Sequence, residues 1–310
     1  VNITNPIQKP VNIKSGRSGA KQDQRKILGY LYMVPTILIA LVMIIYPIIY
    51  GVRTSFFQWN WSAGAEKITF IGFDNYIRVF QDQYFWKTLG NTLLFSFLAI
   101  VIEFILGLIC ALLLNSKIKG SLVFRTIMMF PLMLSDIVAA LMWRMMLEPS
   151  SGSINQILSA IGLGTPNWLG DQSIVILTLV LVEAWWQTGN IIIILLSGLQ
   201  SMPNEPMEMA RIDGANSVQL FRFLIWPHLI PYAKTAITFR LIDLLRVFAL
   251  AWAITGGGPV RSSEMSQLYI YTTGLGKYLN IGYSITMAIV FAIIVSLIVF
   301  IVNRVIVDKG

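Results

Sequence analysis

Apolar residues in this chain neither alternate nor recur every three or four positions; they run on for whole segments. Six such runs stand out, approximately 27–52, 91–114, 124–147, 173–199, 232–255 and 281–306. Each is long enough to cross the hydrocarbon of a bilayer, which takes about 20 mostly apolar residues as a helix. The pattern predicts an all-α integral membrane protein with six transmembrane helices. A polar tail, residues 1–26, precedes the first run, and no small-residue cleavage pattern follows it, so this run is expected to be a retained span.

One polar stretch interrupts the pattern. Between the fourth and fifth runs lies "EMARIDGANSVQLFRFLIWPHLIP", Glu208 to Pro231. Pro203 and Pro206 end the preceding run and permit a new helix, with Asn204 as a candidate cap and Glu205 and Glu208 in its first turn, where the helix dipole favours acids. Gly214 supplies a stop. Asn216 or Ser217 can cap a second short helix, expected to run to Trp226 and to end before Pro227 and Pro231. Ala210, Gly214 and Ala215 are small enough for a partner to approach this elbow closely.

Composition agrees with the pattern. Of 310 residues, 56% are hydrophobic and 12% charged, and the mean hydropathy is +0.70; soluble domains carry about 25% charged residues. The net charge of +8 is an orientation signal. Thirteen Lys and Arg fall in the tail, in the loops after the second and fourth runs, and at the C-terminal end, against six in the opposite loops. Basic loops resist export, so both termini and the elbow are expected to be cytoplasmic. Nucleic-acid binding is not indicated. Cys110, the single cysteine, lies within an apolar run and excludes a disulfide framework within one chain.

The elbow carries a resemblance. Glu208, Ala210, Asp213, Gly214 and Ala215, followed by Pro227 and Pro231, resemble the cytoplasmic EAA loop of ABC importer permeases. Met209 and Trp226 depart from the usual Ala and Leu by apolar replacements. "FIGFDNY" at 70–76, "NTLLFS" at 91–96 and "TGGGP" at 255–259 are similar to the carbohydrate, maltose-type branch. The resemblance runs from about residue 27 to the end and implies a transmembrane domain over 27–310 with a coupling loop at 203–231. It also implies that Glu208, Asp213 and Gly214 dock into a groove of a cytoplasmic ATPase. The implied assembly has a second homologous permease, two ATPase subunits and an external solute-binding protein, in a bacterial inner membrane. No Gly-X-X-X-X-Gly-Lys-Ser/Thr occurs, so ATP and Mg belong to the ATPase partners, and the chain is expected to bind no cofactor or metal and to catalyse nothing itself.

Cargo should be read from ionisable residues inside the spans, which are costly there and by default functional. Glu103 and Asp136 are expected to pair with other helices or subunits, and Arg144 and Lys234 to snorkel to the interface. In "LVEAWWQTGN", Glu183, Trp186, Gln187 and Asn190 share one helical stripe while Trp185 points away. An aromatic face beside amide and carboxylate groups suits a sugar, and equally suits interhelical packing. In the fifth run Arg240, Asp243 and Arg246 recur at i, i+3 and i+6, with Val247 on the same side. Asp243 cannot neutralise both arginines, so one charge is left for a wet cavity, an acid on another helix such as Glu183 or on a second permease, or an anionic substrate. An acidic oligosaccharide, such as a uronate or alginate, is the preferred cargo; neutral oligosaccharides and sugar or glycerol phosphates are alternatives. A secondary transporter using Glu103, Asp136, Glu183 and Asp243 as proton relays would require the inverted repeat that the sequence lacks. The lone His228 lacks the neighbours that a membrane enzyme would need.

Overall fold

The computed structural model describes residues 32–61, 68–116 and 120–307. The 1–26 tail and the extreme C-terminus, on which part of the orientation argument rests, lie outside the described residues. The chain divides into two units, Val1–Arg53 and Thr54–Gly310. The described part of the first belongs to helix α1 (Tyr32–Ser55), which widens to π-helix at Leu41–Ile45.

The second unit begins with a two-stranded antiparallel ribbon, β1 (Phe57–Gln58) on β2 (Thr69–Phe70), with Phe57 opposite Phe70. Helices α2 (Asp74–Gln81) and α3 (Gln83–Asn115) follow. Asp82 caps α3: its Oδ1 accepts the Tyr84 N–H at 2.8 Å, which satisfies an otherwise orphaned donor. Next come α4 (Ser121–Met129), a 3-10 turn (Phe130–Met133), α5 (Asp136–Met146), α6 (Ser153–Ala160) and α7 (Val175–Gln200). The elbow is α8 (Asn204–Ile212) and α9 (Ser217–Leu220). The remainder is α10 (Trp226–Leu245), α11 (Ala249–Ile254), α12 (Ser266–Tyr271) and α13 (Ile281–Val307).

Among the described residues four helices, α1, α3, α7 and α13, are long and apolar enough to cross a membrane. A fifth crossing counts if α4 and α5, bent by 100°, form one span. The third and fifth apolar runs are therefore not the continuous helices that their hydropathy predicts. The third bends after Pro131, where Leu134 and Ser135 are extended; proline lacks the N–H that would continue the ladder. The fifth is interrupted at 246–248, between α10 and α11. No proline or glycine marks that break. Phe248 there stacks on Trp252 at 6.2 Å and meets Tyr271, of a distant segment, edge-on at 5.2 Å.

Helix α7 is central. Two apolar clusters lie along it: Leu179, Val180 and Val182 pack with Phe95 and Ala99 of α3 and Leu244 of α10, while Ile191, Ile192 and Leu195 pack with Ala111 of α3 and Ala233 and Ala236 of α10. Gly107 permits the close approach of α3 to α7, because a Cβ there would lie 2.6 Å from Ile191 Cγ2. Small residues at crossings are how helices gain dispersion contacts where lipid is as apolar as leucine. A third cluster joins Val79 and Phe85 to Tyr269, Met287 and Phe291.

Candidate functional site

The gap between the two clusters on α7 is filled by charge. Glu103 of α3, Glu183 of α7 and Arg240 of α10 meet there, exposed by only 0%, 5% and 3%. Arg240 Nε donates to Glu103 Oε2 at 2.7 Å, and its Nη2 donates to Glu103 Oε1 at 2.8 Å and to Glu183 Oε1 at 2.7 Å. Asp243 Oδ2 lies 3.7 Å from Nη1. The guanidinium fork is thus spent on buried carboxylates, the pairing for which its planar donors are suited. Arg240, one of the two arginines on which a charge was expected to be left over, has its charge met by these carboxylates. Glu103 is the interhelical partner the sequence predicts.

Beside this triad opens a cavity of about 430 Å³. Of the residues expected on the substrate path, Glu183, Trp186, Gln187, Arg240, Asp243, Arg246 and Val247 all line it. Asn190 does not; its Nδ2 donates to Gln187 Oε1 at 2.5 Å and holds that side chain. Trp186 is buried and its Nε1 has no hydrogen-bond partner. A buried donor left unpaired is costly, and Trp143 Nε1 is left unpaired in the same way. Trp185 instead packs edge-on against Trp143 at 5.4 Å. Among the described residues Arg246 has no ion pair, so it is the arginine that keeps a free charge on the wall.

Asp136, expected to pair with another helix or subunit, lines the cavity and has no ion pair among the described residues. It is the first residue of α5, and the bend at 134–135 sets it there, a placement that a continuous span would not give. Arg144, expected to snorkel outward, donates from Nη1 to the Ala253 carbonyl at 3.1 Å and so serves the C-terminal end of α11. The 246–248 break likewise brings Phe248, Ala249 and Leu250 to the wall, and hydropathy carries no signal of it. No group of three or more His, Cys, Asp or Glu able to hold a metal occurs among the described residues.

The elbow forms by local bonding. Pro203, not Asn204, is the N-cap of α8. Gly214 has φ +85° and donates to Arg211 O at 3.1 Å, while the Ala215 N–H reaches Ala210 O at 2.9 Å, the paired bonds of a Schellman stop. Asn216 then caps α9 in a reciprocal box with Gln219. The second helix does not end at Trp226. It widens to π-helix at Phe221–Ile225 and continues into α10, with Pro227 in the first turn and Pro231 inside. Pro227 directly follows the π-turn, at the first turn of α10, whereas Pro231 lies within α10 and forgoes one ladder bond without ending the helix. Glu208 and Asp213 are exposed, Ala210 and Ala215 half-buried. Met209, Ile212 and Val218, exposed by 65%, 85% and 74%, form an apolar surface that sequence reasoning passed over.

Residues 103–309 match the family described as "Binding-protein-dependent transport system inner membrane component", and the chain belongs to that family. It is 36% identical over 276 residues to the probable ABC transporter permease protein YurN of Bacillus subtilis, covering 88% of this chain and 93% of the relative. Identity is also 36%, over 270 residues, with the trehalose/maltose transport system permease protein MalF of Thermococcus litoralis, covering 87% and 90%. Among solved structures, a bacterial ABC transporter involved in the import of the acidic polysaccharide alginate superposes with a TM-score of 0.81. It is 26% identical and covers 93% of this chain and 98% of that one.

Proposed function

We propose that this chain is one membrane-spanning half of an ATP-driven carbohydrate importer, and that the cavity beside Arg240 is its share of the sugar path. The observation that carries this reading is Trp186: a buried indole with an unpaired N–H, set among carboxylates, an arginine and the Gln187 amide. An aromatic ring takes the C–H face of a sugar, and the surrounding polar groups take its hydroxyls. The names of the relatives support a sugar as cargo.

In this reading α4 with α5, and α10 with α11, each make one interrupted crossing, for six in all, and both termini are cytoplasmic. A second homologous permease supplies the facing wall. Two ATPase subunits, which hold ATP and Mg, receive the elbow through Glu208, Ala210, Asp213, Gly214 and Ala215, with Met209 and Ile212 as apolar anchors. An external binding protein delivers the sugar. Closure of the ATPases moves the elbow, and the continuity of α9 with α10 carries that motion directly to Arg240 and the cavity. Lipid surrounds the remaining apolar faces.

The wall offers Asp136, Glu183 and Asp243 against Arg240 and Arg246; with the Arg240–Glu183 pair set aside, Asp136 and Asp243 face one arginine, Arg246. That balance favours a neutral oligosaccharide, whose hydroxyls donate to carboxylates. An acidic oligosaccharide is the second reading, favoured by the unpaired Arg246 and by the likeness to the alginate importer. Uptake of maltotriose and of an alginate trisaccharide by the complete transporter in proteoliposomes separates them. Uptake of maltotriose alone supports the first reading, uptake of alginate alone the second. ATP-independent uptake that collapses with a protonophore would overturn both.

A further inference from the structure

A second cavity, of about 470 Å³, lies where the loop after the "TGGGP" turn meets the starts of α3 and α13. The path described above makes no use of it. Its walls are tyrosines held in place by cations and by one acid. Arg261 lies over the Tyr84 ring at 4.2 Å and over Tyr269 at 4.8 Å, and Arg78 lies over Tyr283 at 4.8 Å. Asp82 Oδ2 accepts from the hydroxyls of Tyr269 at 2.6 Å and Tyr283 at 2.7 Å, so the two rings are fixed to the cap of α3.

Two features are unexplained by packing. Thr273 lines the cavity, is only 5% exposed, and its Oγ1 has no hydrogen-bond partner. Buried hydroxyls are ordinarily bonded because desolvation is otherwise uncompensated. Val260 and Arg261 also hold φ of 47° and 61°, a region that side chains with a Cβ rarely occupy. Such conformations persist where surrounding structure requires them, and concentrate at ligand sites. Here they bring Arg261 between its two rings. Its charge is met by Glu264, which accepts from Arg261 Nε, so the site is not built simply to attract an anion.

We infer that this cavity is a second saccharide site, which holds the sugar before it reaches the Trp186 cavity. The sugar stacks on tyrosine faces opposite those that Arg261 and Arg78 cover, Arg78 and the Asn280 amide bond its hydroxyls, and Thr273 gains a hydrogen-bond partner when a sugar is present. The chain from Thr255 to Arg261 joins the two sites: it leaves the end of α11, whose first turn lines the Trp186 cavity, and enters the tyrosine cavity. The inference rests on the reading of the chain as a sugar-import subunit.

The test uses the complete transporter in nanodiscs and a diazirine-bearing maltotriose, with labelled peptides located by mass spectrometry. Labelling within 269–283 that unmodified maltotriose competes away, and that falls about tenfold in both Thr273→Val and Arg78→Gln while labelling near Trp186 persists, is the expected result. Labelling near Trp186 only, or labelling of 269–283 unaffected by these substitutions, overturns the second site and leaves the transport reading intact. No competed labelling at either cavity overturns both.

Discussion

Arg240 and Glu103, 137 positions apart in the chain, form a two-pronged ion pair at 2.7 and 2.8 Å in the gap between two apolar clusters. With Glu183 they make a charged layer that pins α3, α7 and α10 at one level. Such a layer is a costly way to fill a core, because its desolvation offsets most of its attraction; what it penalises strongly is the removal of one member.

Arg240→Gln should therefore destabilise the protein by about 3–5 kcal/mol, since two carboxylates are left buried without their cation. Replacing all three residues together, with Glu103→Gln, Glu183→Gln and Arg240→Met, should recover most of that loss. Thermal unfolding of the detergent-solubilised transporter reads both. A single variant as stable as the parent would show that the ion pair does not hold these helices.

The two adjacent tryptophans should separate cleanly. Trp186→Ala should weaken apparent sugar affinity in an uptake assay by about tenfold, in line with the loss of a stacked ring of about 1.5 kcal/mol. Trp185→Ala, which strips only the contact with Trp143, should change it by less than about threefold. Equal effects would mean that the cavity wall was wrongly identified.

Arg246→Gln tests the charge on that wall. For a neutral sugar the uptake rate should stay within about threefold of the parent, whereas loss of a guanidinium–carboxylate contact would cost about tenfold or more with an acidic one. The comparison needs both sugars on the same preparation, and a large loss with the neutral sugar would remove Arg246 as a charge reader.

At the elbow, Ile212→Asp should weaken ATPase attachment by about thirtyfold, the loss of one apolar anchor of about 2 kcal/mol. Thermal stability of the chain itself should not change, because Ile212 is 85% exposed. Glu208→Lys should weaken attachment in the same assay. Co-purification of both variants with ATPase at the parent ratio would exclude this surface as the docking site.

Gly107→Ala places a methyl 2.6 Å from Ile191 Cγ2. Overpacking of this kind costs about 1–3 kcal/mol, and Ile191→Ala in the same chain should relieve it. Additive destabilisation in the double variant would show that the two helices do not meet at this point.

The break of the elbow was legible in the sequence at Gly214 and Asn216, although its first cap and the end of its second helix were not. Its bonds span three to five positions, Gly214 to Arg211 and Asn216 to Gln219, and such bonds follow from local residue type. The membrane character and the helical content followed equally from uninterrupted hydropathy. The Glu183–Trp186–Gln187 stripe was legible because a helix of known period put those side chains on one side.

Other features were settled by partners far along the chain. Hydropathy sums residues without regard to direction, so it joined α4 to α5 and α10 to α11 although the backbone bends between them. Those breaks are what bring Asp136 and Phe248 to the cavity. Sequence spacing gave Arg240 only Asp243 as a neighbour, yet its closest partners come from helices 137 and 57 positions away. By itself, then, the sequence determined that the chain is a membrane helical protein with a capped elbow, because these depend on residue type and short-range periodicity. Which charge is spent on the fold and which is left facing the cavity was decided only by tertiary structure, because the energy of a buried ion depends on what surrounds it in space.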